Sequence, residues 1–351
     1  MRKGIKKIAL GKTFLPQEFT LGLPEPQTEI TVWLHGAGAP IDVTYRHAMV
    51  CAAPLVMSIG FDRGKAPDTN GTRGLSLQYC ERESQHLLGE IGLELKSTIT
   101  VDESDFLLFE PYNSTNYCIS KLRIGIHYLF HAYEHWRRDN TNGIKMTFLE
   151  RRAAMVMFIT PHPIVLASVG TRENGNLFPM NLLGDLGNGY FGFGLRTERV
   201  VGDLIKRAGH CAVSYMPLSH GAVAYQLAHN HTKQSIDWNQ LPFETMQSTA
   251  YQIPVPVFAP RVREVEIKAV RALGSHCLFV GRVVHDEKHS DSLGFCSIHG
   301  FYQAWRLKGR DRSAVNDSLA VDELSKWGRI HPLGEQNEAM KMAAEGRRSE
   351  A

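Results

Sequence analysis

Two long runs of alternating side chains in the last third of the chain restrict its fold more than any other feature. In the first run Val265, Ile267 and Ala269 alternate with charged residues, and in the second, residues 277–284 are apolar at nearly every position. A period of two indicates β-strands, and Gly274 stands between the runs where a hairpin would turn. Because the second strand is apolar on both faces, we predict a β-barrel or a packed sheet, in which both faces are covered.

Length and composition place the chain among folded globular proteins. Its 351 residues exceed the usual size of one domain, and a hydrophobic fraction of 43% provides enough apolar material for a packed core. The net charge of +3 comes from residues spread along the chain, a pattern that argues against nucleic-acid binding. The longest apolar stretch, residues 48–61, contains Pro54 and is too short to cross a bilayer, so we predict no membrane span.

The N-terminal residues and the cysteines indicate a cytoplasmic protein. Residues 1–14 are basic but lack the apolar region of a secretory signal. The six cysteines are widely scattered, without a Cys-x-x-Cys pair or a zinc-like Cys/His spacing. We therefore predict free thiols in a reducing compartment and no metal site.

The first 145 residues carry signals for both strands and helices. A polar, proline-containing lead-in covers residues 1–28. Four later segments have the apolar spacing of regular elements, with strands predicted at 28–36 and 53–62 and helices at Ser84–Leu93 and Ile124–Trp136. We predict an α+β domain over residues 1–145, whose role no motif reveals, and a linker at Arg137–Gly143.

Residues 146–308 form the second predicted domain. A helix over Met146–Phe158 precedes the strand Ile164–Gly170, and a turn-rich connection then leads to another apolar run, as in a hairpin. Residues 309–351 are polar and mixed in charge, and we predict that they form a C-terminal tail.

A short amphipathic helix is predicted inside the second domain. Apolar residues recur at helical spacing from Val200 to Ala208. Thr197 stands where an N-cap is expected, and Gly209 stands where the helix would end.

Five segments of this half, in their order along the chain, resemble the flavin reductase-like, FMN-binding split-barrel family. They are PIVLASVG at 163–170, FPMNLLGD at 178–185, LRTERVVGDLIKRAGHCAVSY at 195–215, YQLAHNH at 225–231 and ALGSHCLFVGRVV at 272–284. The last is the most specific, because it looks like the family's Gly-Asp-His signature with Ser275 in the place of the aspartate. The resemblance implies a mostly β fold with helices, an FMN-binding split β-barrel over residues 146–308, preceded by the α+β domain.

The resemblance also implies where cofactors bind. The residues that match the family's flavin-binding positions are Pro179, Met180, Asn181 and Leu182 for the ring, and Arg196, Thr197 and Arg199 for the phosphate. Backbone amides suit the flavin's polar edge, and arginines with a helix N-terminus suit a phosphate. His276 matches the position that contacts nicotinamide. Without the resemblance, Arg196 to Arg199 would read as a cap and a solvated helix face.

The function implied is an oxidoreductase in which NAD(P)H gives hydride to N5 of FMN, or of FAD. Electrons then pass to a partner oxygenase or another acceptor, and the resemblance implies a homodimer with the flavin at its interface. An alternative is a flavin-binding or electron-carrier module without turnover, in which residues 1–145 bind a partner or ligand.

Two weaker patterns leave alternatives open. PLVMSIG at 54–60 echoes PIVLASVG at 163–170, which raises an internal duplication as a hypothesis. His229 and His231 form a His-x-His pair, but no acidic residues stand at a metal-binding spacing, so we predict surface or helix-end histidines.

Overall fold

The computed structural model describes residues 18–67, 74–137, 144–308 and 319–320. The strands within these ranges are β1 (Glu18–Leu23), β2 (Ile30–His35), β3 (Ile41–Asp42), β4 (His47–Ala52), β5 (Leu55–Asp62), β6 (Leu75–Glu81), β7 (Leu87–Val101), β8 (Ser104–Asn116), β9 (His162–Pro163), β10 (Val165–Gly170), β11 (Gly175–Met180), β12 (Leu183–Gly187), β13 (Tyr190–Arg196), β14 (His210–Tyr215), β15 (Thr245–Gln247), β16 (Pro254–Pro256), β17 (Arg261–Ala272), β18 (His276–Lys288), β19 (Gly294–His299) and β20 (Leu319–Ala320). The α-helices are α1 (Lys121–Arg137), α2 (Phe148–Met157), α3 (Val200–Ala208), α4 (Gly221–Gln226) and α5 (Gly300–Arg306).

The sheet of the C-terminal half is antiparallel, has the order β11-β10-β14-β17-β18-β13-β12 and curls into a half-barrel. The predicted pair of long strands is confirmed as β17 and β18, and Gly274 between them has φ +97°, a conformation that favours glycine. Inside the curl, β11, β13 and β18 contribute the stacked or adjacent rings of Phe178, Phe193 and Phe279 to one core. The predicted split-barrel fold is confirmed.

The N-terminal half forms a second seven-stranded antiparallel sheet, with the order β3-β2-β6-β7-β8-β5-β4. The helix predicted at Ser84–Leu93 is wrong, because Leu87 begins the 15-residue strand β7. The chain turns just before it, where the amide of Gln85 donates to the carbonyl of Glu81. Leu88 and Ile91 are buried there between neighbouring elements. A strand covered on both faces can show apolar residues at helix-like spacing, and pairing with β6 and β8 decides the outcome.

Helices follow the N-terminal sheet and cover one side of it. The predicted helix at Ile124–Trp136 is confirmed as α1, and the one at Met146–Phe158 as α2. Thr147 and Glu150 form a capping box at the start of α2. Glu150 also accepts a hydrogen bond from the amide of Leu55 (3.0 Å), which ties α2 to β5. The predicted linker lies outside the described residues after Arg137.

A four-stranded sheet, β20-β1-β19-β9, joins the two ends of the described chain. Strand β1 lies in the lead-in where no element was predicted, and it pairs with β19 over its whole length. The predicted tail at 309–351 lies outside the described residues except for the two residues of β20. All six cysteines are buried free thiols, as predicted. No helix of the described residues is long and apolar enough to span a membrane.

Candidate functional site

The first wall of the candidate site is the short link between β11 and β12. Asn181 and Leu182 form the link, and Pro179 and Met180 end the strand before it. The imidazole of His231, from a 3₁₀ turn at Leu227–Thr232, places Nε2 2.7 Å from the carbonyl oxygen of Pro179. Because a carbonyl only accepts, His231 carries its proton on Nε2 and holds this wall in place.

The second wall is the segment that joins β13 to α3. Arg196 ends β13, and Arg199 is the residue that precedes the first turn of α3. The predicted N-cap at Thr197 is wrong, since Arg199 occupies the cap position and makes no side-chain cap bond. The hydroxyl of Thr197 instead donates towards the carbonyl oxygens of Gly274 and Ser275 at 3.3 and 3.4 Å. The predicted helix end at Gly209 is confirmed. Gly209 has φ 72°, and its backbone amide donates a hydrogen bond to the carbonyl oxygen of Ile205.

The third wall is the start of β18, where His276 pairs in register with Arg196. The hydroxyl of Ser275 accepts a hydrogen bond from the amide of Ala53 (3.0 Å) and lies 2.8 Å from Nδ1 of His276. The amide of Ala52 also points at Nδ1, at 3.5 Å. Since an amide can only donate and the hydroxyl proton remains for the ring, Nδ1 is an acceptor and neutral His276 carries its proton on Nε2.

These walls enclose a cavity of about 180 Å³. Its lining residues are Pro179, Met180, Asn181, Leu182, Gly194, Leu195, Arg196, Arg199, His231 and His276. The structure thus brings together every predicted site residue except Thr197, which lies beside the cavity and links its second and third walls. His231 was missed, because the His-x-His pattern was tested only for metal binding. Its partner His229 is exposed and bonded to the carbonyl of Gln226, as predicted for a helix-end residue.

The cavity is electropositive. None of its described lining residues carries a carboxylate, whereas two are arginines. Burial, and next the charge of Arg199, lowers the pKa of Arg196. Burial also lowers the pKa values of His231 and His276 to about 4 each, with the nearby arginine charges acting in the same direction. At neutral pH both imidazoles are therefore uncharged, and the two guanidinium groups supply the positive charge.

Such an arrangement suits an anionic ligand with a polar, hydrogen-bonding body. Guanidinium groups bind phosphate through paired N–H donors, and the N-terminus of α3 adds the favourable end of a helix dipole. At 180 Å³ the cavity is smaller than the 300 to 1,000 Å³ of a typical ligand pocket, so it would enclose only part of a nucleotide. The donor set fits a ligand that carries a phosphate group, such as a nucleotide.

A larger cavity of about 440 Å³ lies between the two halves, but its cations are paired within the protein. Arg263 donates to Asp185 (2.7 Å) and to Asp286 (3.0 Å), and Arg261 also donates to Asp286 (2.6 Å). These carboxylates neutralise the guanidinium groups that an anion would need. The smaller cavity, whose described lining has two arginines and no carboxylate, is the better candidate for a phosphate-bearing ligand.

The lowered histidine pKa values predict a pH dependence of stability. An unfolded histidine titrates near 6.5, whereas folded His231 and His276 titrate near 4. Between these values the unfolded chain binds more protons, so the free energy of unfolding should fall as the pH is lowered from about 6.5 to about 4. Urea denaturation at pH 7.5, 6.0 and 5.0 measures the slope. His231→Asn should make the slope shallower, because one of the histidines with a lowered pKa is lost, whereas the exposed His229→Asn should leave it as in the wild type.

Comparisons with known proteins found one matching domain family and a set of similar solved structures. Residues 157–302 match the model of the flavin reductase like domain. Similar solved structures include an FMN-binding protein from Thermus thermophilus, with 23% identity over 37% of this chain and 73% of that chain at a TM-score of 0.34. An NADH:FAD oxidoreductase from Streptomyces globisporus has 16% identity over 43% and 88%, at a TM-score of 0.38. The styrene monooxygenase flavin reductase from Pseudomonas putida S12 has 17% identity over 38% and 86%, at a TM-score of 0.32. No curated protein matches the chain.

Proposed function

Because residues 157–302 match the model of the flavin reductase like domain, we propose that this chain is an FMN-binding oxidoreductase that takes hydride from NAD(P)H. The observation that carries the proposal is the convergence of Arg196, Arg199 and His276 on one cavity without a carboxylate. When bound, the flavin accepts hydride at N5, and the protein needs to supply orientation rather than a general base.

The arginines bind the phosphate in this proposal. Arg196 and Arg199 lie three residues apart around the turn that begins α3, and the amide of Arg199 bonds to the carbonyl of Arg196 (3.1 Å). That turn holds the two side chains on the same side of the cavity. The first wall of the cavity, Pro179–Leu182, would then face the flavin ring and offer backbone groups to its polar edge.

His276 serves the nicotinamide side. Its Nδ1 is held by Ser275 and by the amide of Ala52, so its Nε2–H is the donor left for a ligand. A neutral imidazole with a fixed donor can bind the carboxamide oxygen of a nicotinamide without adding charge at the hydride path. His276 thus positions the donor substrate.

The proposal also names the flavin, the reductant and the electron acceptor. FMN is the favoured flavin and FAD the second choice. NADH or NADPH is the reductant, and a partner oxygenase or another acceptor takes the electrons in the cytoplasm. The family resemblance implies that a second domain of the same fold completes this site.

Anaerobic mixing of the FMN-loaded chain with NADH or NADPH tests turnover. Loss of the flavin absorbance with either nucleotide is the expected result. If the yellow colour persists with both, the chain binds flavin without reducing it, as an electron-carrier or ligand-binding module would.

Ser275→Ala should separate positioning from binding. The variant removes the hydroxyl that fixes Nδ1 of His276, a hydrogen bond of about 1 kcal/mol, so the rate of flavin reduction should fall roughly five-fold. The affinity for FMN should stay unchanged, and the ¹⁵N shifts of His276 should report a mixture of tautomers.

Ser219→Ala is the matched control, because Ser219 bonds to Nδ1 of His220 (3.0 Å) in an exposed Ser-His pair outside the cavity. It should leave reduction at the wild-type rate. Equal rates in both variants would show that the Ser275 hydroxyl does not position His276 for flavin reduction.

A further inference from the structure

The two large sheets have the same topology. When the seven strands of each are numbered along the chain, the C-terminal sheet has the order 2-1-5-6-7-4-3, and the N-terminal sheet has that order too. Every pairing in both sheets is antiparallel. Seven strands can be ordered in very many ways, so an identical order indicates one fold present twice.

The pairing registers of the fourth and seventh strands agree in the two halves. In the C-terminal half Arg196 pairs with His276, and Gly194 with Leu278. In the N-terminal half Asp62 pairs with Ser104, and Gly60 with Phe106. The amides of Gly194 and Gly60 each donate, at 2.8 Å, to the residue before their third strand, Leu182 and Arg46 respectively. The structural counterpart of β13 is therefore β5, whereas the similar strings at 54–60 and 163–170 fall on strands in different positions of the repeat.

The halves meet through reciprocal contacts at two glycines. A side chain on Gly60 would meet the carbonyl oxygen of Leu186 at 1.9 Å, and one on Gly194 would meet the carbonyl oxygen of Val50 at 2.0 Å. Each glycine lies on the fourth strand of one half, and each carbonyl lies on the third strand of the other. Reciprocity of this kind is the signature of a two-fold symmetric contact between like units.

The hairpin turns repeat the same relation. Ala53, in the turn between β4 and β5, exchanges hydrogen bonds with Ser275, beside the turn between β17 and β18 (3.0 and 2.8 Å). The contact related to it by the two-fold symmetry joins the β12–β13 turn to the β7–β8 turn. There Tyr190 donates to Asp102, and Asn188 donates to Ser104 at 3.2 Å.

One buried apolar cluster lies between the halves and draws on the same strands of each. The seventh strands supply register-equivalent pairs, Phe106 and Leu108 from β8, and Leu278 and Val280 from β18. All four side chains are buried. The face of the flavin domain that includes β12, β13 and β18 is thus covered by β4, β5 and β8 of the same chain.

The two halves differ where the phosphate would bind. The counterpart of Arg196 is Asp62, and the counterpart of Arg199 is Lys65, since the amides of Arg199 and Lys65 close the same three-residue turn. Asp62 pairs with Lys65 (2.9 Å) and with Arg46 (3.3 Å). In the N-terminal half a carboxylate of the protein therefore already neutralises the cations.

We infer that the N-terminal half is a diverged second copy of the flavin domain fold, built into the chain in the place of a partner subunit. The chain then holds one flavin site, in its C-terminal half, and the N-terminal half completes it through Ala52 and Ala53 behind His276 and Ser275. The number of sites rests on the proposed function, whereas the built-in dimer does not.

Sedimentation equilibrium and FMN titration of the full chain test both parts. The expected results are the mass of a single chain at all concentrations and one FMN per chain. A stable species of two chains would overturn the built-in dimer, and two FMN per chain would overturn the single site. If no FMN binds while the mass is that of one chain, the proposed function and the single site fail and the built-in dimer stands.

Two variants at equivalent positions of the two halves test the two-fold symmetry by hydrogen exchange. Gly60→Ala and Gly194→Ala each place a methyl group against a carbonyl of the other half, so both should lose protection in the same set of strands, β4, β5, β12 and β13. Gly125→Ala, on α1 where nothing lies within 4 Å, should lose none. Loss confined to the strand that carries the substitution would overturn the reciprocal interface.

Discussion

Replacing both Arg196 and Arg199 by alanine should weaken FMN binding by about 3 kcal/mol, which is roughly a hundred-fold in Kd. Each guanidinium would give the phosphate a charge-assisted hydrogen bond, and such bonds contribute about 1.5 to 3 kcal/mol. The two side chains line the same cavity, where burial and then the charge of Arg199 lower the pKa of Arg196. Because both side chains bind one ligand group, the losses of binding free energy in the two single variants should not sum to the loss in the double variant.

Titration of flavin fluorescence measures these affinities, and Arg207→Ala is the matched control. Arg207 lies on α3 as well, but near its other end, where it is exposed and bonds to Gln234 (3.2 Å). It should bind FMN like the wild type. An unchanged Kd in the double variant would move the phosphate away from the start of α3, whereas an equal loss in Arg207→Ala would indicate a nonspecific charge effect.

Glu29→Ala should lower the free energy of unfolding by about 3 to 5 kcal/mol. Glu29 precedes β2 and accepts hydrogen bonds from Arg306 of α5 at both carboxylate oxygens (2.8 and 2.9 Å) and from the hydroxyl of Tyr302 (2.7 Å). The side chains of Glu29 and Arg306 are each only 8% exposed. Removing the carboxylate leaves a buried guanidinium unneutralised, which costs far more than the loss of a surface ion pair.

Urea denaturation measures the effect, with Glu25→Ala as the control. Glu25 has an exposed side chain four residues earlier, and its loss should change stability by less than about 0.5 kcal/mol. Changing Glu29 to leucine together with Arg306 to methionine should recover most of the stability, because neither member of this buried ion pair is then left without its partner. A small effect of Glu29→Ala alone would mean that water reaches Arg306.

The sequence predicted the elements whose patterns are strong and local. The β17–β18 pair and α1 have long, regular periods, and Gly209 and Gly274 occupy positions where the backbone requires positive φ. The helix predicted at Ser84–Leu93 failed because burial on both faces of β7 blurred the period. Strand β1 was missed because its partner, β19, lies more than 270 residues away in sequence, and no local pattern carries that pairing.

The candidate site was predicted in large part, but through family resemblance rather than through local chemistry. The resemblance implied site residues at Pro179–Leu182, at both arginines and at His276, and these residues line one cavity. His231 joins them only through tertiary packing, because its segment leaves the barrel after β14 and returns against Pro179. The roles of Ala52 and Ala53 were also beyond reach, since their contacts with His276 and Ser275 cross between the halves.

The cavity at Arg196, Arg199 and His276 is the proposed binding site of FMN. The most direct measurement is a titration of FMN with the purified full chain, followed by flavin fluorescence and absorbance. The expected result is saturable quenching of the flavin fluorescence together with a shifted flavin absorbance spectrum. Both should be lost in the double arginine variant. Fluorescence that stays unchanged at every protein concentration would contradict the proposal.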